Sequence, residues 1–148
     1  MFEGYGKITE EAFSGLKNRM NLPLPRRTPH VEHATRDTIR HFAYGIGDTN
    51  PLWTDPEYAS ATAYGAILAP PCMLYSMDLT CSGNVGGLPG VHAMFSGTRF
   101  EWYQPIKLND HITTEAYLSD LVEKKSTFAR RSVLQGYETV FKNQNDEA

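Results

Sequence analysis

The chain has 148 residues, enough for one domain with one core, and 41% hydrophobic against 21% charged residues is globular usage, which excludes a disordered, collagen-like or repeat polypeptide. Fourteen Lys and Arg against 17 Asp and Glu leave a formal charge of -3, so no broad cationic surface meets a phosphate backbone and nucleic acid is not an expected partner. No apolar run approaches the ~20 residues of a membrane helix, and the start MFEGYGKITEE lacks a signal core, so a soluble, cytoplasmic protein with no membrane partner is expected.

Residues 8–20, ITEEAFSGLKNRM, set Ile8, Phe13, Leu16 and Met20 on one helical face behind an acidic first turn, which predicts an amphipathic opening helix. Three prolines in NLPLPRRTP make residues 21–29 an extended connector, so that residues 1–34 preface a single domain spanning 1–148. Thr35 caps a second helix carrying Ile39, Phe42, Ala43 and Ile46 and ending at Asp48. In DTNPLWTDPEYA two turn signals form a tight loop, and Thr54 or Asp55 caps a short helix that starts at Pro56. A third, buried helix is expected over Cys72–Thr80, followed by a flexible Gly-rich connection, CSGNVGGLPG.

From His92 onward the pattern favours strands through Thr98, Phe100 and Trp102, then Ile112 to Leu118, then Val133 to Phe141. Helices followed by long antiparallel strands predict the α+β class, with helices on one face of a sheet. Asn143 to Asp146 reads as a hairpin turn just before the chain stops, which predicts a final strand missing after 148. Such a strand belongs either to a longer chain or to a partner that completes the sheet edge.

Asp48 and Asn50 have the chemistry of a side-chain turn that ends a helix. Cys72 and Cys81 lie outside any CxxC spacing and read as reduced thiols, with Cys72 expected as a small buried hydrophobe. His30 and His33 flank Glu32 on opposite faces of an extended segment, so no metal site is expected. The pairs Arg26-Arg27, Lys124-Lys125 and Arg130-Arg131 either meet phosphate groups or are solvated surface charge.

Three stretches in this order, RDTIRHFAYGIGDTNPLWTDPEYA, YGAILAPPCML and WYQPIKLNDHI, resemble the MaoC-like dehydratase, or (R)-specific enoyl-CoA hydratase, family in its fatty-acid-synthase-type, N-terminal MaoC branch. The resemblance implies a hot-dog fold, a curved antiparallel sheet wrapped around a central helix at about Cys72–Thr80. It also implies a homodimer, or a heterodimer with a second hot-dog subunit, and reversible hydration of trans-2-enoyl-CoA thioesters. No cofactor is implied, and coenzyme A enters only as part of the acyl-CoA substrate.

In the family an Asp and a His act within an aspartate, any, asparagine, proline, any, histidine pattern. Asp48, Asn50 and Pro51 match it, which makes Asp48 and Asn50 the catalytic candidates, but Trp53 stands where the histidine belongs and an indole cannot exchange a proton near neutral pH. The family's His-Gly step, whose glycine N–H serves as oxyanion donor, is replaced by Ala69-Pro70-Pro71-Cys72. The N–H of Cys72 or Met73 is left to polarise a carbonyl. In the hairpin motif Pro105 to Ile112, Asn109 replaces a glycine and supplies the left-handed turn.

The resemblance therefore implies a half-domain or subunit of an enoyl-CoA hydratase that lacks the full catalytic pair. Trp53, Pro71, Cys72 and Met73 would lie at the substrate, and His92 would be the spare base. The alternatives are a hot-dog acyl-CoA thioesterase using Asp78 on the central helix, and a non-catalytic acyl-CoA-binding partner subunit.

Overall fold

The computed structural model describes residues 6–25, 29, 31–78, 88 and 90–148. The chain divides into two compact units, the first formed by Met1–Arg26, Thr80–Thr98 and Glu115–Thr139, the second by Arg27–Leu79, Arg99–Thr114 and Val140–Ala148. Two long strands, β1 (Thr113–Ser126) and β2 (Arg130–Lys142), pair as a hairpin whose strands pass through both units.

In the first unit, α1 (Glu10–Lys17) is capped by the Thr9 hydroxyl, which accepts from the Ala12 N–H at 3.1 Å. The helix buries Phe13 and Leu16. It is shorter than the 8–20 the apolar pattern predicts: Asn21 takes a left-handed φ of 59°, and Met20 leaves the helix to make a parallel bridge with Leu118. The connector then follows β1, with the Asn21 N–H donating to the Leu118 carbonyl at 3.0 Å and Leu24 N–H to Ala116 at 2.8 Å. Pro23 and Pro25 have no N–H to give, but the residues beside them do.

β1 runs from Thr113 to Ser126 and β2 from Arg130 to Lys142, both well past the strands read from alternation. Asp120, Glu123, Lys124 and Lys125 break the apolar alternation, yet the opposite strand pairs their backbone whatever their side chains are. Arg131 ties this hairpin to α1, lying 2.7 Å from Glu10 Oε1 and 2.8 Å from Glu123 Oε1 and donating to the Ile8 carbonyl at 2.9 Å. Gly136 is needed for space: a methyl group there would sit 2.8 Å from the Asp120 Cβ. Gly136→Ala is accordingly expected to destabilise by about 1–3 kcal/mol in urea unfolding.

Tyr137, also on β2, donates its hydroxyl to Gln135 Oε1 at 2.7 Å. Burial pushes its phenol above the ordinary value, with Arg19 pulling the other way. The folded chain thus holds this proton more tightly than the unfolded chain does, so the stability it contributes is complete below about pH 10 and lost as pH rises through the folded value. Melting temperatures measured on alkaline titration should fall less steeply for Tyr137→Phe than for the parent.

In the second unit, α2 (Arg36–Gly45) is capped by the Thr35 hydroxyl, which accepts from Thr38 N–H at 3.2 Å, and it turns Ile39 and Ala43 into the core. Ile46, expected on the same face, is 50% exposed because the helix stops at Gly45 and Gly47 reverses the chain at φ 74°. A single-turn 3-10 helix over Pro51–Trp53 leads to α3 (Pro56–Ser60), where Asp55 rather than Thr54 is the cap, its Oδ1 accepting from Glu57 and Tyr58 N–H at 2.9 and 3.1 Å.

The predicted Cys72–Thr80 helix is instead a 3-10 turn, Pro71–Met73, followed by the four-residue α4 (Leu74–Met77), with Asp78 already extended at φ -149°. Pro71 opens the turn with its fixed φ, and the Met73 N–H closes it on the Pro70 carbonyl at 2.8 Å. Leu79, Thr80 and nearly all of the Gly-rich connection lie outside the described residues.

Thr98 to Trp102 pairs in no named strand among the described residues. Phe100 packs edge-on against Tyr75 and stacks on Trp102, so the alternation there reports one-sided ring packing rather than a ladder. Residues 67–69 and 106–108 pair through Ala69 N–H to Ile106 at 2.8 Å and Leu108 N–H to Ile67 at 2.9 Å. The following turn has Asn109 at φ 73° and the Asp110 carboxylate accepting the Lys107 N–H at 2.7 Å, as the Asn-for-Gly replacement predicts. Asn109→Gly should stay close to the parent in stability, whereas Asn109→Val should cost about 1–2 kcal/mol, since a β-branched residue resists the left-handed region.

The expected turn after β2 is present, Asn143 Oδ1 accepting from Asn145 and Glu147 N–H at 2.9 and 3.2 Å. Among the described residues no helix is long and apolar enough to cross a membrane.

Candidate functional site

The loop that follows α2 is built by its own side chains. Asp48 N–H ends the helix on the Ala43 carbonyl at 2.9 Å. Its carboxylate then accepts the Asn50 N–H on Oδ1 at 3.0 Å, while the Asn50 side chain accepts the Leu52 N–H at 3.0 Å, so two consecutive side-chain turns replace backbone ladder bonds. Pro51 sets φ at the start of the 3-10 turn, which swings Trp53 inward until it is only 9% exposed. There the indole Nε1–H donates to Asp48 Oδ2 at 2.9 Å.

Both oxygens of Asp48 are therefore engaged, one by a backbone amide and one by an indole. An indole N–H is a donor only, so it orients the carboxylate but takes no proton from water. The sequence shows Trp53 in place of the histidine but does not show this bond. Its signal was the five-residue spacing across an Asn-Pro turn. The Leu52 carbonyl accepts the Leu68 N–H at 3.3 Å, which joins the loop to the segment leading into the Pro70-Pro71 turn.

In that turn Pro70 is fully buried, Pro71 exposed and Met73 fully buried. Cys72 is an exposed free thiol, contrary to the expectation of a small buried hydrophobe. In the tight 3-10 turn the inward position falls on Met73, so the thiol faces outward. Of the two amides considered for polarising a carbonyl, that of Met73 already bonds the Pro70 carbonyl, which leaves that of Cys72 as the candidate.

Met73 also lines a surface groove of about 360 Å3 together with Val31, Thr38, His41, Phe42 and Ser76. His41, an exchangeable base on α2, was not singled out from the sequence. It precedes Phe42, three positions after Thr38, and that spacing on one helical face was the available signal. A second groove of about 320 Å3 is lined by Arg36, Pro56, Gly65, Ala66, Ile67 and Leu108.

The other sequence candidates fall in different parts of the chain. His92 is exposed and belongs to the first unit, whereas Asp48, Trp53 and Pro71 to Met73 belong to the second. Asp78 is 8% exposed and accepts a short hydrogen bond from the Thr114 hydroxyl, but it lies one residue past α4 rather than on the helix, which corrects the premise of the thioesterase alternative. His33 stacks on His111, centroids 4.4 Å apart. His30, Arg26 and Arg27 lie outside the described residues. Among the described residues no group of three or more His, Cys, Asp or Glu is arranged to hold a metal ion.

Comparison with known proteins bears on the fold and the family. The family described as FAS1-like, dehydratase domain region matches residues 26–148. A UPF0336 protein of Streptomyces avermitilis is 30% identical over 91 residues, 58% of this chain and 61% of the relative, so the match covers about three fifths of that protein's length. A probable enoyl-CoA hydratase alpha subunit of Thermomonospora curvata is 26% identical over 106 residues, 60% of this chain and 33% of the relative. A chain of the ChsH1-ChsH2 complex from Mycobacterium tuberculosis superposes with a TM-score of 0.67 at 19% identity, covering 94% of this chain and 84% of that one. The fold is the α+β hot-dog fold of the MaoC-like dehydratases and (R)-hydratases to which the chain is similar.

Proposed function

The chain belongs to the FAS1-like dehydratase-region family, and from that membership we propose that it is one subunit or half of a composite enoyl-CoA hydratase or dehydratase acting on acyl-CoA thioesters. The observation that carries this reading is the Asp48 carboxylate, held by the Asn50 amide on one side and the Trp53 indole on the other. The hydratase loop is kept in shape while its second proton carrier is replaced by a group that carries none.

Hydration adds water across the carbon–carbon double bond: water oxygen bonds the β-carbon, its proton leaves to a base, the α-carbon gains a proton, and the thioester oxygen bears transient negative charge. Asp48 is the group here that accepts from the water. Asn50 and Pro51 hold the loop rigid, and the large face of Trp53, with Met73, Pro71 and Cys72, shapes the acyl and thioester pocket. The Cys72 N–H faces the developing oxyanion at the start of the 3-10 turn. The proton for the α-carbon is supplied by the histidine of a second hot-dog subunit with an intact Asp/His pair. The proton that Asp48 took from water returns to that histidine through solvent, so both groups end the cycle as they began it. The relative called an alpha subunit and the ChsH1-ChsH2 complex support a reading in which two such chains work together.

The test is loss of the enoyl thioester from a short and a long trans-2-enoyl-CoA, with the purified chain alone and with a co-expressed second hot-dog subunit that carries the intact Asp/His pair. No turnover alone and turnover together is the expected result. Turnover by the chain alone, or none in any combination, overturns the composite reading.

A further inference from the structure

The tip of the β1–β2 hairpin takes no part in the site or in the core of its unit. Phe128, in the turn between the strands, is 98% exposed, a side chain that contributes nothing by burial to the fold and keeps a full aromatic surface in water. Residues 124–130, KKSTFAR, hold Lys124, Lys125 and Arg130 and no acid. The three cations are exposed, and among the described residues none of them is in an ion pair. Glu123, the acid next in sequence, is taken by Arg131, which also holds Glu10. In a chain of net charge -3 this tip is thus a local cationic patch, and charges further away than the Debye length of about 8 Å do not cancel it.

We propose that this hairpin tip docks the protein reversibly on an anionic phospholipid surface, with Phe128 entering the headgroup–acyl boundary and Lys124, Lys125 and Arg130 on the lipid phosphates. The shape of the patch selects the partner. A stable protein interface covers about 800 Å2 per partner, far more than a three-residue turn offers. A reversible contact with an anionic lipid surface is made on this smaller scale by an inserted ring and nearby cations acting together, each cation being worth about a fivefold change in partition. The expectation of no membrane partner rested on the lack of an apolar span, which a docking tip does not require.

Flotation of the full chain with phosphatidylcholine vesicles containing about a third phosphatidylglycerol tests the proposal, with pure phosphatidylcholine as the control. The chain should float with the anionic vesicles, weakly with the neutral ones, and less as salt rises. Phe128→Ser should lower partition about tenfold or more and Phe128→Leu should keep it, while Lys124→Gln and Lys125→Gln each lower it about fivefold. Because all these side chains are exposed, melting curves should not move, so lost binding cannot come from lost folding. Equal binding to neutral vesicles, binding indifferent to Phe128→Ser, or retention on an acidic polypeptide or on DNA without vesicle binding overturns the proposal.

Discussion

Asp48→Asn is expected to lower hydration by the assembled enzyme about 10²- to 10⁴-fold, the range of a lost general base. The same change should destabilise the isolated chain by about 1.5–3 kcal/mol, the worth of a hydrogen bond to a charged group. The reason is geometric. Asp48 accepts from two donors, the Asn50 N–H and the Trp53 indole, and an amide has only one accepting oxygen. Whichever way the new amide is turned, its NH2 group opposes one of those donors.

A double-mutant cycle separates the two effects. Trp53→Phe removes the indole donor while keeping a large ring in the core, so Asp48→Asn in the Trp53→Phe background should cost about 1–2 kcal/mol less than in the parent. Urea unfolding of the four proteins measures that coupling, and additive effects would show that the indole bond does not hold the carboxylate. Activity should not recover in the double variant, because a phenyl ring at position 53 restores no base. Stability and catalysis thus part company at a single carboxylate.

Met77→Ala is the largest expected loss of stability, about 2–5 kcal/mol, with a fall in melting temperature of roughly 5–15 °C. Met77 is fully buried at the end of α4, beside Leu74 and in the same core cluster as Met73. A four-residue helix has no stability of its own, because forming its first turn fixes several residues for one hydrogen bond. α4 persists because Met73, Leu74 and Met77 are packed, so emptying one of these positions costs both the buried side chain and the turn that presents it. Met77→Leu, close in volume, should cost less than about 1.5 kcal/mol. Equal losses for the two variants would mean that shape at this position, rather than burial, holds the turn.

What the amino-acid sequence determined by itself is what short-range chemistry controls. Thr35 was legible as a cap, and the α3 cap was narrowed to Thr54 or Asp55, because a side-chain oxygen two or three residues before a free amide has an obvious partner; the structure picks Asp55. The left-handed Asn109 and the Asn143 turn were legible for the same reason. So was the family, whose three motifs name the Asp48 loop, the Pro71 turn and the Asn109 hairpin in order.

Tertiary structure decided what depends on a distant surface. It ended the predicted Cys72–Thr80 helix after Met77 and turned the Cys72 thiol to solvent. It carried β1 through charged residues to Ser126, because a strand's length is set by the strand across from it as well as by its own alternation. It left Thr98 to Trp102 without a named ladder. And it brought the Trp53 indole onto Asp48: the sequence shows that the histidine is replaced, but only the fold of the Asn-Pro turn, which drives a large ring into the core, makes its replacement the carboxylate's hydrogen-bond donor.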